Sequence, residues 1–205
     1  GSILTAADLI KNFIFQRLLE EGADVEKIYQ SQWQEFESSF WEQQVWSGSL
    51  QHQLSSLFLN HWLNAHTEDD FSVREVFTRF KRFALHDVKD SMIGLLGQIR
   101  RASSVYRQFI EASTSKLPSE TRLDDFAYRI GVLEADVMRV VVLWLRDPER
   151  EAKSPIPATV LDRCYELLET WIVRRMLLRL STKSMNKTVK ELVRTLEAND
   201  RQRAD

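Results

Sequence analysis

Residues 170–196 read TWIVRRMLLRLSTKSMNKTVKELVRTL and predict two consecutive helices with a polar break between them. The spacing of the apolar positions predicts a buried stripe on the first helix, made of Trp171, Ile172, Met176 and Leu180. Two adjacent arginines, Arg174 and Arg175, lie beside this stripe, where an ordinary amphipathic helix does not need them. The break covers 181–184, and the second helix is expected from about 184 to 196.

Helical periodicity extends outward from this stretch over nearly the whole chain, and strand alternation is almost absent. We therefore predict an all-α fold, a single bundle of about eight or nine helices. Six tryptophans and eleven phenylalanines favour one large core. We assign residues 1–2 to a cloning remnant, 3–198 to a helical domain excised from a larger protein, and 199–205 to a polar tail or linker.

Several helix boundaries can be predicted from local signals. Thr5 and Asp8 form a capping box at the start of the first helix, and Gly22 ends it. A second helix is expected from Asp24 through residue 41, and a third is expected to include Leu50. Further along the chain, 140–145 is predicted to be a deeply buried helix with a strand as the rival interpretation, and 147–157 is predicted to be a loop.

Composition bounds the function classes. The chain has 205 residues and a net charge of −2, so a contact with nucleic acid would need a local basic patch. A single cysteine, Cys164, excludes an internal disulfide and a cysteine-built zinc site. The sequence has neither a signal-peptide pattern nor an apolar run of the roughly 20 residues that a membrane helix needs. A cytoplasmic protein with no membrane contact is expected.

No self-contained catalytic or metal site is predicted. The histidines His52, His61 and His66 share no helical face, which a metal site on one helix requires. Glycine-rich phosphate loops, the GxSxG motif and the HExxH zinc motif are absent from the sequence. Cys164 lies in an apolar helix and is expected to be a core residue. We therefore expect no catalytic residue, no metal ligand and no cofactor in this chain.

The polar residues from 174 to 187 are the candidates for a contact with the DNA backbone. They are Arg174, Arg175, Arg179, Lys183, Asn186 and Lys187. On a helix, Arg175 and Arg179 would share a face, and so would Lys183 and Lys187. The alternative is structural: the arginines complement the helix dipole and pair with Glu166 or Glu169. Taken as a group, the residues favour neither interpretation over the other.

Two motifs in register resemble the helical second half of the N-terminal domain of GmrSD-type restriction endonucleases. The first is the phrase LTAADLIKN at 4–12, which in that family leads from a ParB-like core into a helical bundle. The second is WIVRR at 171–175, followed by the break at 181–184 and by the Asn-Lys helix start at 186–187. Between them, 77–83 resembles the family's aromatic and basic segment, and 102–109 resembles a further helix of its bundle. The resemblance spans nearly the whole chain in the same order.

The resemblance implies a parent protein that restricts modified or invading DNA in antiphage defence. Its ParB-like core, with an Asp-Gly-Gln-Gln-Arg motif, would use a nucleotide triphosphate and a divalent metal to control a C-terminal HNH nuclease. Both segments are absent from this sequence. The chain is therefore expected to be a non-catalytic module whose partners are these two domains of the same chain, with double-stranded DNA as a further candidate partner.

Three residues near the start are candidates for the edge of the nucleotide site: Asp8, Lys11 and Asn12. The capping box with Thr5 explains Asp8 without a ligand, but it does not explain Lys11 or Asn12. Two other functions stay open for the chain as a whole. One is a structural scaffold or oligomerisation bundle whose arginines make internal salt bridges, and the other is an enzyme with an unrecognised site. The sequence does not predict the oligomeric state.

Overall fold

The computed structural model describes residues 4–47, 49–67, 71–88, 91–115, 117 and 119–204, and most of this length is helical. The all-α prediction is therefore confirmed. The side chains at 182, 183 and 201–204 lie outside this description, as do the cloning remnant assigned to 1–2 and the final residue of the predicted tail. Internal contacts group the chain into two compact units, one ending at Ser103 and one beginning at Ser104, where the sequence predicted one bundle.

The first unit is built around a helix that is buried on all sides. The helices of this unit are α1 (Ala6–Glu20), α2 (Val25–Ile28), α3 (Ser39–Glu42), α4 (Leu54–His66), α5 (Val76–His86) and the first part of α6 (Met92–Thr114). Every residue of α4 from Leu54 to Ala65 is buried, and both α1 and α5 pack against it. Trp62 is fully buried on α4 and lies edge-on to Phe83, with ring centroids 5.8 Å apart.

The predicted boundaries of α1 are confirmed. The Thr5 side chain accepts from the backbone N–H of Asp8, and the Asp8 side chain accepts from the backbone N–H of Thr5. Gly22 follows the helix with a φ of +72°, the left-handed conformation that glycine adopts without a steric penalty. Both signals involve residues within a few positions of each other, which is why the sequence reveals them.

The next two predicted helices are wrong in detail. A π-helical turn at Tyr29–Trp33 and a 3₁₀ turn at Gln34–Glu37 interrupt the helix expected after Asp24. Leu50 lies outside α4, in a hairpin formed by β1 (Gln44–Ser47) and β2 (Leu50–Gln53). Pairing with the antiparallel partner strand holds Leu50–Gln53 in an extended conformation, and local propensity does not report such a partner.

The second unit contains the rest of α6 and five further helices. These are α7 (Arg122–Val132), α8 (Met138–Leu145), α9 (Pro148–Lys153), α10 (Ala158–Leu177) and α11 (Thr182–Ala204). α7 packs against α10, and α8 packs against α11. The aromatic core between α6, α7 and α10 centres on Phe126, which stacks on Tyr165 and lies edge-on to Phe109. This packing fixes α10, which carries two of the candidate DNA-contacting residues, Arg174 and Arg175.

Three predictions for the second unit have different outcomes. The stretch 140–145 is a buried helix, as predicted, and the rival strand interpretation is wrong. The expected loop at 147–157 is wrong for Pro148–Lys153, which form α9 capped by the Asp147 side chain, while 154–157 are non-helical as predicted. α11 continues to Ala204 instead of ending near residue 196, so the backbone at 199–204, assigned to a tail or linker, is helical. None of the helices in the described ranges is both long and apolar enough to cross a membrane.

Candidate nucleic-acid interface

The end of α10 and the start of α11 form the most basic stretch of the second unit. Between Glu169 and Glu191 the sequence contains no acidic residue. The same stretch contains six basic residues: Arg174, Arg175, Arg179, Lys183, Lys187 and Lys190. A run of cations without carboxylates creates a local positive potential on a chain whose net charge is −2. We call residues 170–190 the basic segment.

Three cations of the basic segment are available to a ligand. The side chains of Arg174, Arg179 and Lys187 are exposed. Within the part of the chain that the structure describes, these three side chains make no hydrogen bond, ion pair or ring contact. The side chain of Asn186 is exposed one residue before Lys187. Lys183, the remaining lysine among the candidates, has a side chain outside the described residues.

Arg175 has a different role, because its guanidinium holds the connection between α10 and α11. Its Nη2 donates to the carbonyl of Ser181 at 3.1 Å and to Oγ of Ser184 at 2.5 Å. The same guanidinium lies over the Trp171 ring, with Cζ 4.9 Å from the ring centroid. Arg175 therefore positions the start of α11 relative to the end of α10. Arg174 precedes this connection in the chain, and Lys187 follows it.

Arg179 does not share a helix face with Arg175, because α10 ends at Leu177. The N–H of Arg179 donates to the carbonyl of Met176, and the N–H of Leu180 donates to the carbonyl of Arg175. This is a Schellman motif, and Arg179 occupies its left-handed position with a φ of +51°. The motif favours glycine there, and α1 has Gly22 at the equivalent position. Arg179 therefore occupies a position where the backbone favours glycine.

Glu166 and Glu169, the carboxylates expected to pair with these arginines, pair with other arginines of the second unit. Glu169 accepts from Arg122 and from Arg129, at 2.7 Å each. The hydrogen bond to Glu169 raises the pKa of Arg122. Glu166 accepts from Arg163 at 2.5 Å. The predicted pairing of the Arg174 group with Glu166 or Glu169 is therefore wrong, because nearer arginines on α7 and α10 bind both carboxylates.

The predicted apolar stripe on α10 is only partly buried. Ile172 is buried, but Met176 and Leu180 are each 50% exposed. Leu177 and Leu178, which follow Met176 directly, are 78% and 71% exposed. The prediction fails for the last turn because helical spacing assumes a partner along the full length of the helix, and no described side chain covers its end. No pattern in the sequence predicted that Leu177 and Leu178 are exposed.

The three nucleotide-edge candidates do not converge on one site. Asp8 is occupied by the capping box with Thr5, in agreement with the alternative interpretation of this residue. Lys11 Nζ lies 2.7 Å from Glu37 Oε1, so its charge is compensated. Asn12 is exposed and lines a shallow hollow of about 420 Å³ together with Lys11 and Tyr29. Asp8 and Lys11 therefore already have partners within the chain, and the assignment of these three residues to the edge of a nucleotide site stays a prediction.

Sequence reasoning did not predict that Lys11, Tyr29 and Glu37 form a hydrogen-bonded group beside this hollow. The Tyr29 hydroxyl donates to Glu37 at 2.5 Å, and this bond raises the pKa of Tyr29. Partial burial raises the pKa of Glu37, but the hydrogen bonds from Lys11 and Tyr29 outweigh it, and the net pKa is lowered. Because Lys11 and Glu37 are 26 positions apart, no local pattern could have indicated the pair.

A second stretch without acidic residues, 91–110, contains three arginines, but Arg100 pairs with Glu35 and Arg107 pairs with Glu111. Comparisons of the chain with protein-family models, curated proteins and solved structures find no match.

Proposed function

We propose that this chain is a non-catalytic helical module of a cytoplasmic, GmrSD-like nuclease that restricts modified or invading DNA. In this proposal it couples a nucleotide-hydrolysing core to an HNH nuclease domain and contacts the DNA backbone through Arg174, Arg179 and Lys187. The observation that carries the DNA contact is the basic segment, in which the side chains of Arg174, Arg179 and Lys187 are exposed and unpaired within the described residues. The order of the motifs at 4–12 and 171–187 supports the family assignment.

Phosphate is the ligand chemistry that these side chains suit. Arginine binds phosphate oxygens through a planar fork of donors, and lysine binds them as a point charge. Such contacts fix the position of a protein on the duplex without reading its sequence. That behaviour suits a module that holds DNA while other domains select and cut it.

A structural scaffold is the second candidate function, and the contacts of Arg175 favour it. Arg175 binds Ser181 and Ser184 and stacks on Trp171, and these contacts stabilise the fold without a ligand. A scaffold role predicts that the remaining cations can be reversed without consequence. The two functions are therefore separated by the behaviour of Arg174, Arg179 and Lys187.

A triple charge reversal tests the DNA contact. Wild-type chain is titrated into a fluorescein-labelled duplex over a salt series, and binding is followed by fluorescence anisotropy. Three phosphate contacts predict that the logarithm of the association constant falls with the logarithm of salt concentration with a slope of about −3. Arg174→Glu, Arg179→Glu and Lys187→Glu together are expected to abolish binding at moderate salt while the circular dichroism spectrum stays unchanged.

A matched control separates local contact from net charge. Arg74→Glu, Lys81→Glu and Lys153→Glu change three other exposed basic residues, so both triple variants carry the same net charge. We expect the control to keep most of the affinity. If both triple variants lose the same DNA affinity, the binding depends on net charge and not on these three residues. If the wild type does not bind DNA at low salt, the scaffold function is favoured.

Arg179→Gly tests whether Arg179 contributes to DNA binding at a cost in stability. Glycine relieves the left-handed backbone strain, so the free energy of unfolding is expected to rise by about 1 kcal/mol. DNA affinity is expected to fall because one phosphate contact is lost. Urea unfolding and anisotropy measure the two effects.

The control for this substitution is Glu134→Gly. Glu134 occupies the same position of the Schellman motif that ends α7, with a φ of +50°. It should gain similar stability without weakening DNA binding. If Arg179→Gly binds DNA as tightly as the wild type, Arg179 does not contact phosphate.

A further inference from the structure

Leu177 and Leu178 form an exposed apolar ridge at the end of α10. They are 78% and 71% exposed, and Met176 and Leu180 beside them are half-exposed. Adjacent exposed leucines on a folded domain indicate a contact surface, because single exposed apolar side chains are common but contiguous ones are not. This ridge lies within the basic segment, since Arg174 precedes it and Arg179 follows it.

The positive charge around the ridge indicates which kind of partner would bind there. A second copy docked on the same surface in a two-fold dimer would bring two basic segments together, each without an acidic residue between Glu169 and Glu191. Such a contact places like charges side by side. The ridge therefore suits a polyanion that also offers apolar surface.

DNA and an anionic membrane both meet this description, and the shape of the ridge favours DNA. Membrane-surface helices present a long apolar face that carries aromatic anchors. Here the apolar surface is short and lies at the end of α10. The exposed side chains that follow on α11 are polar: Ser184, Asn186 and Lys187. Trp171, the nearest aromatic residue, is half-buried and covered by Arg175.

We propose that Leu177 and Leu178 insert as a wedge into the minor groove of DNA, while Arg174 and Arg179 bind the flanking phosphates. Leucine is among the apolar side chains that enter between base steps, unstack them partly and bend the duplex. Unstacking is easiest where a pair is mismatched, so the module binds bent or mismatched DNA in preference to a straight duplex. This inference rests on the DNA contact of the proposed function and adds the form of DNA that the site selects.

The test uses two labelled duplexes of about 20 base pairs, one fully paired and one with a central T·T mismatch. Anisotropy of the whole chain is expected to show about tenfold tighter binding to the mismatched duplex. Energy transfer between dyes on the two ends is expected to rise on binding, because the duplex bends. Leu177→Ser with Leu178→Ser should remove both the preference and the bend but keep the salt dependence, since the phosphate contacts remain.

The control is Leu19→Ser with Leu117→Ser, two leucines that are similarly exposed outside the ridge. This pair should retain the preference and the bend. Equal binding of both duplexes, or a preference that survives in Leu177→Ser with Leu178→Ser, would overturn the wedge and leave the DNA contact intact. Absence of wild-type binding to either duplex would overturn the proposed DNA function as well.

Vesicles of phosphatidylserine and phosphatidylcholine serve as the competing partner in a sedimentation assay. Failure of the chain to sediment with them supports the DNA wedge. Sedimentation that is lost in Leu177→Ser with Leu178→Ser, together with absence of duplex binding, would instead assign the ridge to an anionic lipid surface and overturn the proposal.

Discussion

Phe126→Ala is expected to lower the free energy of unfolding of the second unit by about 3–5 kcal/mol, the range for a large aromatic side chain removed from a core. Phe126 is fully buried. Its ring stacks on Tyr165 of α10 at 5.0 Å and lies edge-on to Phe109 of α6 at 6.2 Å. The substitution therefore removes the side chain that joins three helices. Urea unfolding followed by circular dichroism measures the loss.

Tyr128→Ala is the control for this core substitution. Tyr128 lies two residues further along α7 and is half-exposed, so its removal is expected to change the free energy of unfolding by about 0.5 kcal/mol or less. Similar losses in the two variants would contradict the assignment of Phe126 to the core. Because α7 packs against α10, DNA binding should fail at a lower urea concentration in Phe126→Ala than in the wild type.

Arg150→Met is expected to lower the free energy of unfolding by about 2–3 kcal/mol, because it removes the buried hydrogen bonds of the guanidinium and leaves the carbonyl of buried Leu145 without this donor. Arg150 is buried on α9, and its guanidinium donates to the carbonyls of Trp144 and Leu145 at the end of α8. It also donates to the carbonyl of Ser154 at 3.1 Å and lies over the Trp144 ring at 5.0 Å. Methionine retains the apolar stem of the side chain and removes every donor.

Two further variants make this prediction specific. Arg150→Lys keeps the charge but loses the planar fork, so its stability should lie between those of the wild type and Arg150→Met. Lys153→Met changes an exposed residue at the end of the same helix and should leave stability within about 0.5 kcal/mol of the wild type. If Arg150→Met unfolds at the wild-type urea concentration, the buried guanidinium does not stabilise the end of α8.

The nature of the local signals explains which features could be predicted. The capping box of Thr5 and Asp8, the Gly22 ending and the buried helix at 140–145 all follow from interactions between residues a few positions apart. The hairpin at 44–53 could not be predicted in this way, because four of its eight strand residues are glutamine or histidine and show no alternation of apolar side chains.

The candidate interface was identified in part. The sequence identified the basic residues between 174 and 187 and the break between two helices. It also suggested that Arg175 and Arg179 share a face, which the left-handed backbone at Arg179 prevents. Helical spacing assumes a regular helix, so it does not indicate where a helix ends. For the same reason it did not predict that Leu177 and Leu178, at the end of α10, are exposed.

Local patterns in the sequence are enough to predict that this protein is helical, where several helices begin and end, and which side chains carry positive charge near its C-terminal helices. The tertiary structure decided which of those charges remain available. Glu169 binds Arg122 and Arg129, which lie 47 and 40 positions away in the chain. Because a carboxylate pairs with the arginine that folding brings nearest, only the packed structure leaves Arg174 exposed and without a partner among the described residues.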